Sequence, residues 1–349
     1  MSEAADRGGR AMTAEIAEQP EVLSGLLAHR AGLAEVAAAA AERRPRFVLL
    51  AARGSSDHAA VYAKYLVEIL LGLPCGLVSP STFTLYGARP DLDGALLLTI
   101  SQSGGSPDLL EVTRTAREGG ATAVAVTNTA DSPLTGAAEL AVDIRAGAER
   151  AVAATKSYSA TLLALYLFVD AFRGGDGSAA LAVPELARSA LEGAHDAVSE
   201  AIRRYRFADR IVTTGRGYSS ASAAEAGLKL AETSYLTARS FSGADLLHGP
   251  VAAVDANTAV LALCSEGRGS EAMVEVLEAV HANGADVCAI GSACERVPAS
   301  HRIPVPACPE ELAPVLEILP VQRLALGLAL ARGEDPDSPR GLTKVTRTR

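Results

Sequence analysis

The sequence has few cysteines, and none of them form the CxxC pair that binds metals or cycles between thiol and disulfide. The five cysteines are an odd number in 349 residues, which favours reduced thiols in a packed core over a disulfide framework. The six histidines show no metal-ligand spacing either. The sequence therefore predicts no metal site, and we expect no cofactor.

The sequence also lacks an excess of basic residues and a long apolar run. Its net charge of −9 and isoelectric point near 5.3 argue against a nucleic-acid backbone as the main partner. No uninterrupted apolar run reaches the roughly 18 residues of a membrane helix, and the polar opening MSEAADRGGR is unlike a signal peptide. We expect a cytoplasmic protein that binds neither nucleic acid nor membrane.

The hydrophobic content is 49%, enough for one large core or two ordinary ones. In the first half of the chain, short apolar runs typical of buried strands alternate with amphipathic segments typical of helices. The predicted strands are 47–51, 75–78, 95–100, 122–127 and 139–144, and the main predicted helices are 12–30 with a break near Gln19–Pro20, 31–43, 107–118 and 151–172. This alternation predicts an α/β fold with a parallel sheet covered on both faces.

The stretch Thr99–Asp108, TISQSGGSPD, follows one of these apolar runs and leads into a helix. Ser106 fits the N-cap position and Pro107 the first helical position. Such a loop offers backbone N–H groups and the positive end of a helix dipole, which suit a phosphate. Side-chain donors without charge are added by Ser101, Gln102, Ser103 and Ser106. An ordinary polar turn is the alternative.

The second half of the chain repeats the first. Arg46–Ser56 matches Asp209–Ser219, and the stretch 97–128 aligns without gaps on the sequence from Leu261 onward, so that Ser101 meets Ser265. A repeat of this length predicts a duplicated α/β domain. SerGlnSerGly (101–104) has become SerGluGlyArg (265–268), which loses two neutral donors and gains a carboxylate. We therefore expect one working phosphate loop, in the first half.

These observations predict the domain organisation. It consists of a disordered leader (1–11), an N-terminal domain with leading helices (12–173), a linker and connecting helix (174–205), a C-terminal domain (206–335) and a tail (336–349).

Five motifs in this order resemble the tandem SIS (sugar isomerase) family. They are an opening like EIxEQP (15–20), ArgGlySerSer (53–56), SQSG (101–104), HisGlyPro (248–250) and a tail like DxPRxLxKxVT (337–346, with one residue fewer between the lysine and ValThr). The chain resembles the isomerase part of glucosamine-6-phosphate synthase and stand-alone aminosugar-phosphate deaminases, over about residues 12–346. The resemblance implies two tandem domains, each a doubly wound parallel sheet in a flavodoxin-like three-layer sandwich.

The resemblance also implies binding residues. The substrate phosphate would be ringed by Ser56, Ser101, Gln102, Ser103 and Ser106, and the sugar by Gly54, Val152, Ala154 and Thr343. Ala154 stands where the synthase has a serine, so one hydroxyl-to-sugar hydrogen bond is not expected here. Lys156 matches a family lysine, but the resemblance implies no role for it.

Three catalytic residues are implied by the same resemblance: Glu232, His248 and Lys344. Glu232 would carry a proton between C1 and C2 of an open-chain sugar, although its helical spacing from Glu225 and Lys229 alone indicates a solvated ion pair. His248 would open the ring from the partner subunit of a homodimer, whereas a lone loop histidine is usually structural. Lys344 would form an imine with a ketose in a tail that folds over the site, although chain ends are usually disordered.

The implied reaction acts on the sugar itself. Residue 2 is Ser2, where the glutaminase domain of the synthase begins with a catalytic cysteine, so we expect no glutamine-dependent synthesis in this chain. We expect conversion of glucosamine 6-phosphate, or a close analogue, to fructose 6-phosphate and ammonia. A fructosamine 6-phosphate deglycase is the alternative enzyme, and a non-catalytic sugar-phosphate sensor is the alternative outside enzymes.

Overall fold

The computed structural model describes residues 8–344, in which strands and helices alternate as predicted. The strands are β1 (Phe47–Ala51), β2 (Cys75–Leu77), β3 (Ala95–Ile100), β4 (Thr122–Thr127), β5 (Leu140–Asp143), β6 (Arg210–Gly215), β7 (Thr237–Ser242), β8 (Thr258–Leu263), β9 (Asp286–Gly291) and β10 (His301–Pro304). The α-helices are α1 (Arg10–Ala17), α2 (Gln19–Ala28), α3 (Arg30–Glu42), α4 (Ser55–Leu66), α5 (Pro80–Thr84), α6 (Pro107–Glu118), α7 (Pro133–Ala137), α8 (Lys156–Phe172), α9 (Val183–Gly193), α10 (His195–Tyr205), α11 (Ser219–Ser234), α12 (Gly243–Leu247), α13 (Arg268–Ala282) and α14 (Ala313–Ala331).

The strands form two five-stranded parallel sheets with orders β2-β1-β3-β4-β5 and β10-β9-β8-β6-β7. The two orders are the same when each sheet is numbered from its own first strand, which confirms the predicted duplication. All six residues of β3 and all six of β8 are buried, because helices cover both faces of a parallel sheet. The predicted doubly wound α/β fold is confirmed.

The chain divides into two compact units, each containing one sheet. The first-sheet unit comprises residues 21–149 and 156–181, and the second-sheet unit comprises residues 8–20, 150–155 and 182–344. These limits differ from the expected ones, because 8–20 and 150–155 belong to the second-sheet unit. Within that unit, the Asp337 carboxylate accepts hydrogen bonds from the amides of Ala11 and Met12, both at 2.8 Å, and the Glu15 carboxylate accepts one from Ala151 at 3.2 Å.

Two predicted boundaries need correction. The leader was expected to run to residue 11, but α1 begins at Arg10, because its first amides are capped by Asp337; residues 1–7 lie outside the described residues. The helix expected over 151–172 begins at Lys156. The segment before it is held in another conformation, since Ala151 N–H donates to Glu15 and the Thr155 carbonyl accepts from Gln322 at 3.1 Å.

Helix α14 accounts for an apolar stretch of membrane-spanning length. By length and composition alone, Glu310–Ala331 could cross a membrane. The pair α2–α3, which is bent by 60° at its break, meets the same criteria if it is counted as one segment. Within the described residues no other helix meets them. In Glu310–Ala331, 89% of the most apolar window is buried inside the protein. Packing in the second-sheet unit thus explains its hydrophobicity.

The cysteines are free thiols, and four of the five are buried. Burial raises the pKa of Cys75 to about 12 and raises that of Cys264 as well. The predicted core position is thus confirmed for these four cysteines.

Candidate functional site

The predicted phosphate loop lies where the order of the first sheet reverses direction. Strands β1 and β3 are parallel neighbours, with Ala51 opposite Thr99, and they end at the same edge of the sheet. Helices α4 and α6 begin just beyond these strands, so two helix N-termini meet this edge. In doubly wound sheets, ligands bind in the crevice at such a switch point.

The loop has a defined conformation. Ser101 Oγ accepts a hydrogen bond from the amide of Gly104 at 3.2 Å, and Ser103 Oγ accepts one from Gly105 at 3.3 Å. Gly104 has φ = +62°, and a Cβ at this position would lie 2.2 Å from Ser132 Oγ, so no larger residue fits without rearrangement. The Gln102 carbonyl accepts from the amide of Asn128 at 3.1 Å. The loop is therefore preorganised.

The five predicted phosphate residues lie together on this edge. Ser106 is the N-cap of α6, as predicted, but its side chain makes no capping hydrogen bond, which leaves that role open for a ligand oxygen. Ser101 is buried, and Ser56, Gln102, Ser103 and Ser106 are partly exposed. Gly54, predicted to contact the sugar, is the N-cap of α4 with φ = +57°.

An ion pair that the sequence analysis missed borders the loop. Arg53 Nε lies 2.8 Å from Asp108 Oδ2; the Asp108 side chain is fully buried and that of Arg53 is 48% exposed. A lone carboxylate in the first turn of α6 would repel a phosphate, and the arginine offsets its charge. The available signal was an arginine in the turn after β1 together with an aspartate in the first turn of α6.

The second-sheet unit contains the predicted catalytic glutamate in a cluster on α11. Lys229 Nζ lies 3.3 Å from Glu225 Oε1 and 2.5 Å from Glu232 Oε2. Burial lowers the pKa of Lys229, but the two carboxylates more than offset this effect, so its pKa is raised above the ordinary value. The lysine is therefore a fixed cation that orients Glu232.

The expectation of a solvated ion pair, drawn from spacing alone, is wrong. The side chains of Glu225 and Lys229 are fully buried, and only that of Glu232, at 23%, reaches solvent. Helical spacing predicted the contacts but gave no indication of which face the helix buries. Of the three, Glu232 is the one that a ligand can approach.

The tail is anchored as far as Lys344, so the alternative of a disordered chain end is wrong for the described part. Val345 and Thr346, the last two residues of the family motif, lie outside the described residues. The amide of Arg340 donates to the Tyr235 hydroxyl at 2.7 Å, and its guanidinium lies 4.2 Å from the centre of the Tyr235 ring. Lys344 Nζ donates to the Ala151 carbonyl at 2.7 Å.

Residues Val152 and Ala154, predicted to contact the sugar, belong to the segment 150–155 that Lys344 contacts. Both are partly exposed and alternate with buried residues. The segment is held in place by side chains from elsewhere in the second-sheet unit: Glu15 accepts from the amides of Arg150 and Ala151, Gln322 donates to the Thr155 carbonyl, and Gln19 donates to Gln322. Sequence analysis gave Glu15 and Gln19 only as part of a family motif, with no role.

His248 and Thr343 are both exposed. His248 follows the last residue of α12, where its amide donates to the carbonyls of Ala244 and Asp245. The histidine is not part of the Glu225–Lys229–Glu232 cluster. Its side chain is accessible to solvent.

The donor sets favour an anionic, oxygen-rich ligand. Hydroxyls, an amide side chain and helix N-termini surround the first-sheet loop. Within residues 8–344, no group of three or more His, Cys, Asp or Glu side chains could hold a metal ion.

Comparisons with known proteins match the duplicated fold. A family model described as "SIS domain" matches residues 43–171 and 205–332. The glutamine–fructose-6-phosphate aminotransferase (isomerizing) of Thermus thermophilus is 35% identical over 362 aligned positions, which cover 98% of this chain and 60% of that protein. The chain thus spans about three fifths of the length of this curated relative.

Two solved structures are similar over nearly their whole length. A protein from Silicibacter pomeroyi DSS-3, provisionally assigned as a phosphosugar isomerase, has a TM-score of 0.86 at 38% identity and covers 94% of this chain and 99% of its own. The C-terminal domain of glucosamine-fructose-6-phosphate aminotransferase from Francisella tularensis has a TM-score of 0.85 at 27% identity, with coverages of 97% and 100%.

Proposed function

Because the chain belongs to the SIS domain family, we propose that it is an aminosugar-phosphate isomerase and deaminase. It converts glucosamine 6-phosphate, or a close analogue, and water into fructose 6-phosphate and ammonia. The observation that carries the proposal is the preorganised loop 101–106 at the switch point of the first sheet. The similarity to isomerizing aminotransferases supports a substrate of this class.

The first-sheet unit binds the phosphate. Its loop offers the hydroxyls of Ser101, Ser103 and Ser106, the Gln102 amide and the start of α6. Neutral donors and a helix dipole hold an anion without adding a buried positive charge. Arg53 offsets the charge of the Asp108 carboxylate, which would otherwise repel the phosphate.

The second-sheet unit supplies the proton transfer. The Glu232 carboxylate takes the proton from C2 of the open-chain aminosugar and delivers it to C1, which leaves an imine at C2. Lys229 remains charged beside Glu232 and fixes the orientation of its carboxylate. Loss of Lys229 would remove the cation that lies against both carboxylates.

Release of ammonia requires a nucleophile at C2. The Lys344 amine, once it has left the Ala151 carbonyl and lost a proton, adds to the C2 imine and displaces ammonia. Water then hydrolyses the new imine, which yields the ketose and frees the lysine. The balance is one aminosugar phosphate and one water consumed, and one ketose phosphate and one ammonia formed.

His248 completes the proposal as the acid–base that opens the sugar ring. Its exposed position at the end of α12 fits a role in the site of the partner subunit in a homodimer. The proposal retains the expected cytoplasmic location and the expected independence from glutamine.

The experiment is a substrate panel with the purified chain. Glucosamine 6-phosphate, its epimers and fructosamine 6-phosphates are incubated separately, and ammonia and fructose 6-phosphate are assayed. Stoichiometric release of both from an aminosugar phosphate supports the proposal. Turnover of fructosamine 6-phosphates alone would indicate a deglycase, and binding without turnover a sensor; either result overturns it.

A further inference from the structure

In the second-sheet unit, the counterpart of the phosphate loop follows β8, as the phosphate loop follows β3. The repeat places Ser265 opposite Ser101, and Arg268 and Gly269 opposite Gly104 and Gly105. It also places Ser219 opposite Ser56. Strands β6 and β8 are parallel neighbours, as β1 and β3 are, so these donors again lie at a switch point. Their partners, however, are carboxyl groups of the chain itself.

The first of these carboxyl groups belongs to Glu310. Its Oε2 accepts from the amide of Arg268 at 3.1 Å, and its Oε1 accepts from the amide of Gly269 at 2.8 Å. Both amides lie in the first turn of α13, a helix of 15 residues. A bidentate carboxylate at this point uses the same donors and the same helix dipole that suit an oxyanion.

The second carboxyl group belongs to Glu317 on α14. The Ser219 hydroxyl donates to Glu317 Oε1 at 2.8 Å, and the glutamate side chain is completely buried. Burial raises the pKa of Glu317, and the nearby hydroxyls of Ser265, Ser219 and Ser222 oppose that rise. A buried carboxyl group is costly unless it is hydrogen-bonded, and Glu317 accepts its hydrogen bond from a hydroxyl that the repeat places opposite Ser56.

We propose that Glu310 and Glu317 occupy a second anion-binding site, built like the phosphate loop and closed by the chain's own carboxyl groups. The ligand class that they replace is a phosphate monoester or inorganic phosphate. The duplicated protein thus keeps both sets of donors but leaves only one of them open to substrate. This inference rests on the proposed phosphate loop, to which the second site is compared. The test below gives a result whether or not that loop binds phosphate.

The experiment removes the two carboxyl groups in a chain whose first loop is disabled by Ser101→Ala and Ser103→Ala. In this background, Glu310→Ala and Glu317→Ala are introduced singly and together, with Glu271→Ala as the control, since Glu271 is an exposed glutamate of the first turn of α13. Inorganic phosphate is the probe. Equilibrium dialysis counts bound phosphate, and melting temperature is followed against phosphate at constant ionic strength with chloride as reference.

We expect the double variant to bind one phosphate per chain and to melt at temperatures that rise with phosphate concentration. The background chain and the Glu271→Ala control should show neither effect. If the double variant does not fold, Glu310→Ala alone must show the phosphate-dependent rise, since Glu310 is only partly buried. A folded Glu310→Ala chain and a folded double variant that behave like the control would overturn the proposal. Phosphate binding by the wild-type chain tests the first loop separately.

Discussion

Lys344 donates a hydrogen bond from Nζ to the carbonyl oxygen of Ala151, at 2.7 Å. The two residues are far apart in the sequence, yet both belong to the second-sheet unit. The bond joins the tail to the segment that carries Val152 and Ala154. It also gives the proposed nucleophile a resting position close to residues proposed to contact the sugar.

Replacing Lys344 with arginine should abolish turnover while phosphate binding persists. Arginine keeps the positive charge and can still donate to Ala151, but it stays protonated and cannot form an imine. Borohydride trapping with substrate or ketose product, followed by peptide mapping, should give an adduct at Lys344 in the wild type and none in the variant. An adduct at another lysine, or near-normal turnover of Lys344→Arg, would leave Lys344 without a covalent role.

Ser101→Ala and Ser103→Ala should each raise KM for the sugar phosphate. The loss of one hydrogen bond to a charged oxygen corresponds to about 1–3 kcal/mol, or roughly a 5- to 150-fold change. The matched control is Ser265→Ala, which should leave KM unchanged and act on stability instead, because Ser265 is buried beside Glu317. Steady-state kinetics with urea unfolding separates these effects. Equal changes in KM for all three variants would indicate two working loops.

Lys229→Met should destabilise the protein by about 3–5 kcal/mol, because it leaves the buried carboxylate of Glu225 and the nearby one of Glu232 without their cation. Adding Glu225→Gln should recover part of this loss, and urea denaturation measures both.

Glu232→Gln should keep the fold, since Glu232 reaches solvent, and lower kcat by orders of magnitude. If Glu232→Gln unfolds the chain instead, the glutamate has a structural role.

Stability should depend on pH through Glu317. Burial raises its pKa above the ordinary 4.5, so the folded chain holds this proton more tightly than the unfolded chain. The resulting contribution to stability is fully present below a pH of about 4.5 and is lost as pH rises through the raised pKa. Glu317→Gln lacks this titration, so its stability relative to wild type should increase with pH.

Urea unfolding of Glu317→Gln and wild type from about pH 5 to about pH 8 measures this difference. The control Glu271→Gln, at an exposed position, should show none. A constant difference between Glu317→Gln and wild type across this range would contradict the expected titration.

Complementation should reveal whether the site is shared between subunits. His248→Ala and Glu232→Gln proteins, each inactive, are mixed under conditions that allow subunit exchange. If His248 acts in the partner's site, mixed dimers contain one intact site and regain part of the activity. Absence of activity, with exchange verified by labelled subunits, would place His248 and Glu232 in the same subunit's site.

Much of the fold was predictable because its signals are local. Strands β1, β3 and β4 have the predicted bounds, since short apolar runs between turn residues specify buried strands. The two sheet orders follow from duplication, and the repeat was visible in the sequence. Capping preferences predicted that α6 starts at Pro107, after Ser106.

Only the tertiary structure decided the rest, because the determining contacts join residues distant in sequence. The segment before α8 reads as helix, yet Glu15 and Gln322 hold it in a loop of the second-sheet unit. The spacing of Glu225, Lys229 and Glu232 predicted an ion pair but not its burial, since a helical wheel does not specify what packs against each face. The carboxyl groups of Glu310 and Glu317 reach their donors only when the chain folds, because each lies about 40 or more residues from its partners.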